Sequence, residues 1–227
     1  MKRKKILTIE ILIEEAQAFC IEQSIIQYKD LFGVTDGKAV GTFIEHKFQT
    51  HLKEKYKVAV GSSDRGIDLP SDDIQTDIKV TSIKQPQSSC PFKDVKQKIF
   101  GLGYNLLVFV YDKTDSPKTQ TATLNFVSCS FIHKGRTADY TTTYRLREMI
   151  KDGANEADVI AYLQDKNIPA DEITLRKVAE QILQTPPEQG YLTISNALQW
   201  RLQYQRIVDL SDDILGIEKI IRYNKLK

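Results

Sequence analysis

The chain has 227 residues, 41% of them hydrophobic, and a formal net charge of +2, enough for one good core with room for a helical appendage. It contains no run of about 18 apolar residues, which argues against a membrane-spanning helix. Cys20, Cys90 and Cys129 are odd in number and lack paired spacing, which argues against zinc and disulfide chemistry and for a reducing, cytoplasmic setting.

Taken in chain order, Ile6 to Ser24 reads as a helix with recurring apolar residues, and Leu31 to Ala39 reads as a loop carrying the Asp36-Gly37 turn signal. Gly41 to about Lys55 is an amphipathic helix, with Ile44, Phe48 and Leu52 at four-residue spacing. Tyr56 to Val60 begins a sheet, and a polar connection over residues 61–66 leads into a hairpin. Gly66 to Leu69 forms the first hairpin strand, Pro70 to Asp73 the turn, and Ile74 to Thr81 the second strand. Gln85 to Pro91 is a polar loop and Phe92 to Phe100 a helix. Asn105 to Tyr111 and Ala122 to His133 are strands separated by a turn-rich stretch over residues 113–118. From residue 143 onward the pattern reads as helix: Tyr144–Lys151, Glu156–Asp165, Leu175–Leu183 and Ser195–Val208. The order implies an α/β fold, a mixed central sheet flanked by helices with a C-terminal helical region. A division into residues 1–142 and 143–227 is expected, or one continuous domain.

Chemistry concentrates in the hairpin. Side chains alternate along a strand, so Gln75, Asp77, Lys79 and Thr81 share one face, while Ile74, Thr76, Ile78 and Val80 share the other, mostly apolar one. Asp68 on the preceding strand faces the same polar site. Two carboxylates and an ammonium are minimal equipment for metal-assisted hydrolysis of a phosphodiester. A hard divalent ion takes one or two carboxylates plus waters, and an ammonium beside it offsets charge developing on phosphorus. Asp64, Asp72 and Asp73 lie nearby as rival ligands. Asp68 is preferred because Ile67 and Leu69 embed it in a strand, whereas Asp72 and Asp73 are turn residues.

The pattern Asp68…Asp77-Ile78-Lys79 resembles the catalytic signature of the PD-(D/E)XK nuclease superfamily, and most closely that of type II restriction endonucleases. The helix bearing Gly41-Thr42-Phe43-Ile44-Glu45 adds to the match, because that superfamily often carries a glutamate on the helix before its catalytic hairpin. The likeness covers about residues 41–112; Ile67 stands where the motif often has proline. The resemblance implies a restriction-endonuclease-like core and Mg²⁺-dependent, sequence-specific cleavage of double-stranded DNA, with Mn²⁺ able to substitute. Asp68, Asp77 and Glu45 would be metal ligands, and Lys79 would position or activate water. It further implies a homodimer in a prokaryotic cytoplasm. A repair or junction-resolving nuclease of the same superfamily, or a non-catalytic DNA-binding relative, is the alternative.

Residues after the catalytic strand are candidates for DNA contact. Lys84, Lys93, Lys96 and Lys98 line a phosphate track or form a solvated face. Gln85, Gln87 and Ser88 belong to a loop that reads bases or merely connects, and Gln97 or Lys96 faces the active site. The C-terminal helices serve dimerisation, DNA recognition or core support. Trp200, Leu202 and Tyr204 near Arg201 and Arg206 are candidates for an interface.

Overall fold

The computed structural model describes residues 4–61, 66–90, 93–195 and 200–224. Asp64, the first residue of the expected Phe92 helix and the side chain of Trp200 lie outside the described residues. Contacts divide the chain into two interleaved units. The first comprises Met1–Gln87, Tyr104–Ile132 and Val208–Lys227, the second Ser88–Gly103 and His133–Ile207. The C-terminal residues thus rejoin the unit that contains the hairpin, a membership different from a split near residue 142.

In the first unit β1 (Lys5–Ile6) precedes α1 (Ile9–Ser24), whose start is capped by Thr8. After β2 (Gln27–Tyr28), Asp36 caps α2 (Gly37–Lys55), so the helix begins four residues earlier than Gly41, inside the expected loop. The short strand β3 (Tyr56–Lys57) pairs in parallel with β1. The central sheet runs in the order β10-β7-β6-β4, with β2 also on β7. Its strands are β4 (Thr76–Ser82), β6 (Asn105–Ser116), β7 (Thr121–Ile132) and β10 (Ile217–Ile221). β4 pairs in parallel with β6, while β6–β7 and β7–β10 are antiparallel, so the sheet is mixed as expected. The turn after β6 falls beyond Ser116, because the β6–β7 register continues to Ser116↔Thr121.

Leu12, Ala16 and Phe19 of α1 and Val40, Ile44, Phe48 and Leu52 of α2 pack with Ile78, Leu107, Phe109 and Leu124 of the sheet. Phe48 meets Phe109 edge-on at 5.0 Å and Phe19 at 4.9 Å, geometry that aromatic quadrupoles favour. Val108 and Val110, on the opposite face of β6, are buried as well, as a near-continuous apolar strand predicts. Gly41 lets α2 approach β4 closely, since a Cβ there would stand 3.2 Å from the Val80 carbonyl.

The second unit contains β5 (Gln87–Cys90) from Ser88 on, α3 (Lys96–Phe100), α4 (Tyr140–Lys151), α5 (Glu156–Asp165), α6 (Glu172–Gln184), β8 (Thr193–Ile194), β9 (Trp200–Gln203) and α7 (Gln205–Val208) as far as Ile207. Val159, Leu163, Ile168, Leu175, Val178 and Ile182 form its core around α5 and α6, so the Lys166–Ala170 turn joins two core-forming helices. Among the described residues of the helix expected over Ser195–Val208, Trp200–Gln203 is strand and only Gln205–Val208 is helical. The chain there makes the sheet β5-β9-β8, then one short helical turn. Leu202 and Tyr204 are fully buried rather than presented to a partner, and Tyr204 shares a 2.5 Å hydroxyl–hydroxyl hydrogen bond with Ser88. Apolar residues spaced two apart in Leu202 and Tyr204 fit a strand, and the helical reading overlooked that period.

Candidate active site

β4 is the last strand in the order β10-β7-β6-β4, so among the described residues no named strand pairs with its outer edge. The hairpin folds onto that edge. Leu69 and Thr76 form an antiparallel bridge, exchanging N–H···O bonds of 2.9 and 3.1 Å. The expected strand over Gly66–Leu69 shrinks to this single bridge, because the turn from Ser71 to Gln75 closes at once, with Gln75 at φ +36. That turn removes Gln75 from the polar face of β4. Asn105 braces it, donating from its backbone to the Gln75 carbonyl and from its side chain to the Ile74 carbonyl, both at 2.8 Å.

The bridge places Asp68 beside the outer edge of β4. Its Oδ2 accepts the backbone N–H of Ile78 at 2.8 Å, and its Oδ1 accepts the amide of Gln49 at 3.0 Å. The Gly61 N–H reaches the Asp68 carbonyl at 2.8 Å, and a Cβ on Gly61 would stand 2.1 Å from the Ile67 carbonyl oxygen, so a glycine is required there. Asp77 is buried, and its Oδ2 pairs with the Lys79 ammonium at 2.7 Å. Glu45, projecting from α2, lies near Asp68, Asp77 and Lys79. The four residues the motif singled out are therefore brought together. Asp72 and Asp73 remain exposed in the turn.

Burial and crowding set the charge state of the site. Burial drives the Glu45 carboxyl up to about 8, reinforced by the neighbouring Asp68 and Asp77 charges and opposed by Lys79. Asp77 is pushed up to about 7, again chiefly by burial, with Lys79 pulling it down and Asp68 adding to the rise. Carboxyls so crowded hold protons until a cation replaces them. The donor set is all oxygen, the set a hard divalent ion prefers. Among the described residues no three His, Cys, Asp or Glu side chains stand arranged as a ready-made metal cage. Asp68 and Asp77, completed by water, still match the one or two carboxylates that such an ion takes from protein.

The residues proposed for DNA contact divide between the units. Lys84 and Gln85 are exposed in the turn after β4, and Gln87 is half-buried. The Thr81 hydroxyl pins this turn, accepting the Gln87 N–H at 3.1 Å and donating to the Gln85 and Gln87 carbonyls. Ser88, Lys93, Lys96 and Gln97 belong to the second unit. Lys93 is exposed and Lys96 half-buried, while the side chain of buried Gln97 accepts the Lys93 N–H at 3.2 Å. Lys98 is corrected outright as a phosphate contact. It is 6% exposed and donates to the Ile194 carbonyl at 3.0 Å, where burial draws its ammonium down from the usual range.

Gln49 escaped the sequence reading, although a signal was present. Gly41, Glu45 and Gln49 recur at four-residue intervals on α2, which places them on one helix face. A polar pair beside the apolar Ile44–Phe48–Leu52 stripe, above a glycine, marks a helix face serving something other than a core.

A mixed sheet whose edge strand carries Asp77 and Lys79, with Asp68 hydrogen-bonded to the Ile78 N–H beside them, defines a restriction-endonuclease-like nuclease. The family model described as type II restriction enzyme NspV matches residues 6–219. The type II restriction enzyme NspV of Nostoc sp. (strain ATCC 29411 / PCC 7524) is 52% identical over 219 residues, covering 96% of this chain and 99% of that protein. No solved structure matches. The chain belongs to the NspV family of type II restriction enzymes.

Proposed function

We propose that this chain is a type II site-specific deoxyribonuclease that hydrolyses phosphodiester bonds of double-stranded DNA with Mg²⁺, held by Asp68 and Asp77 with Glu45 beside them, and that it acts as a homodimer. The observation that carries the reading is the Asp77–Lys79 pair at 2.7 Å next to Asp68 on the outer edge of β4. Family membership supports the same activity. Mn²⁺ fits the same oxygen donors.

When bound, the ion supplies Lewis-acid polarisation of the phosphate and a nucleophile from its bound water. The chain's own residues do the rest. Asp77 and Asp68 present carboxylate oxygens from adjacent segments, fixed by the β4–β6 ladder and by the Ile78 N–H. Lys79, with three donors on a flexible stem, holds the attacking water and offsets charge that builds on the phosphoryl oxygens. Glu45 orients Lys79 and adds negative charge beside the ion. A two-fold dimer matches a palindromic site, one active site for each strand. Lys84, Gln85 and Gln87, on the turn that follows β4, are the proposed DNA contacts nearest in sequence to the site, and Ser88, Lys93, Lys96 and Gln97 extend the proposed set.

Digestion of a large duplex DNA by the purified protein with Mg²⁺, and separately with EDTA, tests the reading. Discrete bands that need Mg²⁺ and vanish with Asp77→Ala are expected; intact DNA across several sequences and metals would sink it. A sedimentation mass near twice 25.9 kDa for the protein alone, or near that figure plus the mass of the duplex when DNA is bound, is the expected sign of the dimer.

A further inference from the structure

Among the described residues Asp68 has no cation paired to it by a salt bridge; the Glu45 and Asp77 carboxyls lie against it, and two neutral N–H groups donate to it. One is the backbone N–H of Ile78 on Oδ2 at 2.8 Å, whose place is dictated by the β4 ladder. The other is the Gln49 amide on Oδ1 at 3.0 Å, delivered by α2. A carboxylate offers about four lone-pair sites, and each of these donors occupies one. The Ile78 bond holds one oxygen and the Gln49 bond the other, so the two together set the carboxylate plane, and the remaining lone pairs meet Glu45 and Asp77.

We propose that Gln49 is a positioning residue of the active site, its amide holding the Asp68 carboxylate in the rotation that turns its remaining lone pairs toward the Glu45 and Asp77 carboxyls, where a divalent ion would be held. This rests on the nuclease reading above. The chemistry explains the residue type. Glu45, Asp68 and Asp77 together outnumber the single ammonium of Lys79, so a divalent ion that displaced their protons would find more carboxylates than cations there. A lysine or arginine at position 49 would also donate to Asp68, yet its charge would compete with the ion. A glutamate would set an acceptor against an acceptor. A glutamine donates without charge. Its placement follows from the same helix face that carries Glu45 one turn earlier and Gly41 two turns earlier, where the glycine lets the helix lie close to Val80. Hydrogen bonds of this kind to metal ligands typically change metal affinity or activity by about 10–100-fold when removed.

The test uses Gln49→Met, which fills nearly the same space without a donor, with Gln49→Leu as a second donor-free variant of similar bulk. Binding of Mn²⁺ to the full-length, EDTA-treated protein is measured by titration calorimetry, beside thermal melting and the kcat and KM for duplex cleavage. The expected result is a Kd for Mn²⁺ raised about 10–100-fold with the KM for DNA unchanged. The Mg²⁺ concentration for half-maximal cleavage should rise by a similar factor, and cleavage should recover as the metal is raised. Variants that bind Mn²⁺ and cleave like the wild type would overturn the proposal and leave the nuclease reading intact. Melting temperatures that fall by several degrees in both variants would mark Gln49 as a packing residue and overturn it too. A wild type that neither binds Mn²⁺ nor cuts any duplex would overturn the nuclease reading and this inference together.

Discussion

Helix α2 serves two acidic clusters, and they are opposites. On one side His51 and Lys55 reach Glu15 of α1 at 2.6 and 2.7 Å, and the Tyr56 hydroxyl donates to it at 2.6 Å. Burial raises the Glu15 carboxyl, but these partners overcome it and hold the group down at about 2. On another side Glu45 meets Asp68 and Asp77, with Lys79 the cation among them, and there burial wins, lifting Glu45 to about 8 and Asp77 to about 7. The partners make the difference. A carboxylate ringed by donors is finished by the fold, whereas carboxylates crowded with one another are left for a ligand to finish.

Substitutions at the two clusters should therefore move different observables. Asp77→Asn is expected to lower Mg²⁺-dependent cleavage by at least about 10²–10³-fold, read from digestion time courses on one duplex. The same variant should melt higher than wild type in EDTA, because a buried carboxyl crowded by like charges is gone. A lower melting point in EDTA would show that Asp77 stabilises the fold and would erase the contrast.

Gly41→Val strikes the approach of α2 to β4, since even a Cβ would stand 3.2 Å from the Val80 carbonyl. A stability loss of about 1–3 kcal/mol, the usual cost of overpacking, is expected in urea unfolding, with cleavage falling beyond what the unfolded fraction explains. Unchanged cleavage would mean that the spacing of α2 does not govern the site.

Glu15→Gln should do the reverse of Asp77→Asn. Cleavage per folded molecule stays at wild type while stability drops by roughly 2 kcal/mol, the scale of a charge-assisted hydrogen bond. The smallest expected effect is on pH dependence. The folded pKa of Glu15 lies below its ordinary 4.5, at about 2, so its stabilisation is complete above pH 4.5 and is lost as pH falls toward 2. Melting temperatures of the Glu15→Gln variant should fall less steeply than those of wild type across that window. Parallel curves would remove Glu15 from the acid response.

Much of the site was legible because it is encoded locally. The alternation of Asp77 and Lys79 with Ile78 and Val80 declares a strand with one polar face, and the structure has that strand. The Ile44–Phe48–Leu52 spacing declares α2, and α5 runs over Glu156–Asp165 as the pattern indicated. Lys98 was less legible. Its charge suggested solvent and phosphate, yet Asp139 and the Ile194 carbonyl make a buried place for it, and nothing within a few residues of Lys98 announces either partner.

The sequence by itself determined the α/β class, the helices flanking the sheet, and the grouping of Asp68, Asp77 and Lys79 as one candidate site, because periods of two and of about four are written in neighbouring residues. Tertiary structure alone decided three other things. It returned Ile217–Ile221 to pair with β7, made Trp200–Gln203 a strand, and set Gln49 against Asp68, 19 positions away. Strand pairing and side-chain contact at such separations depend on which distant surfaces need covering. Only the packed core settles that choice, since residues far apart in the chain bury one another's apolar faces and leave specific donors opposite specific acids.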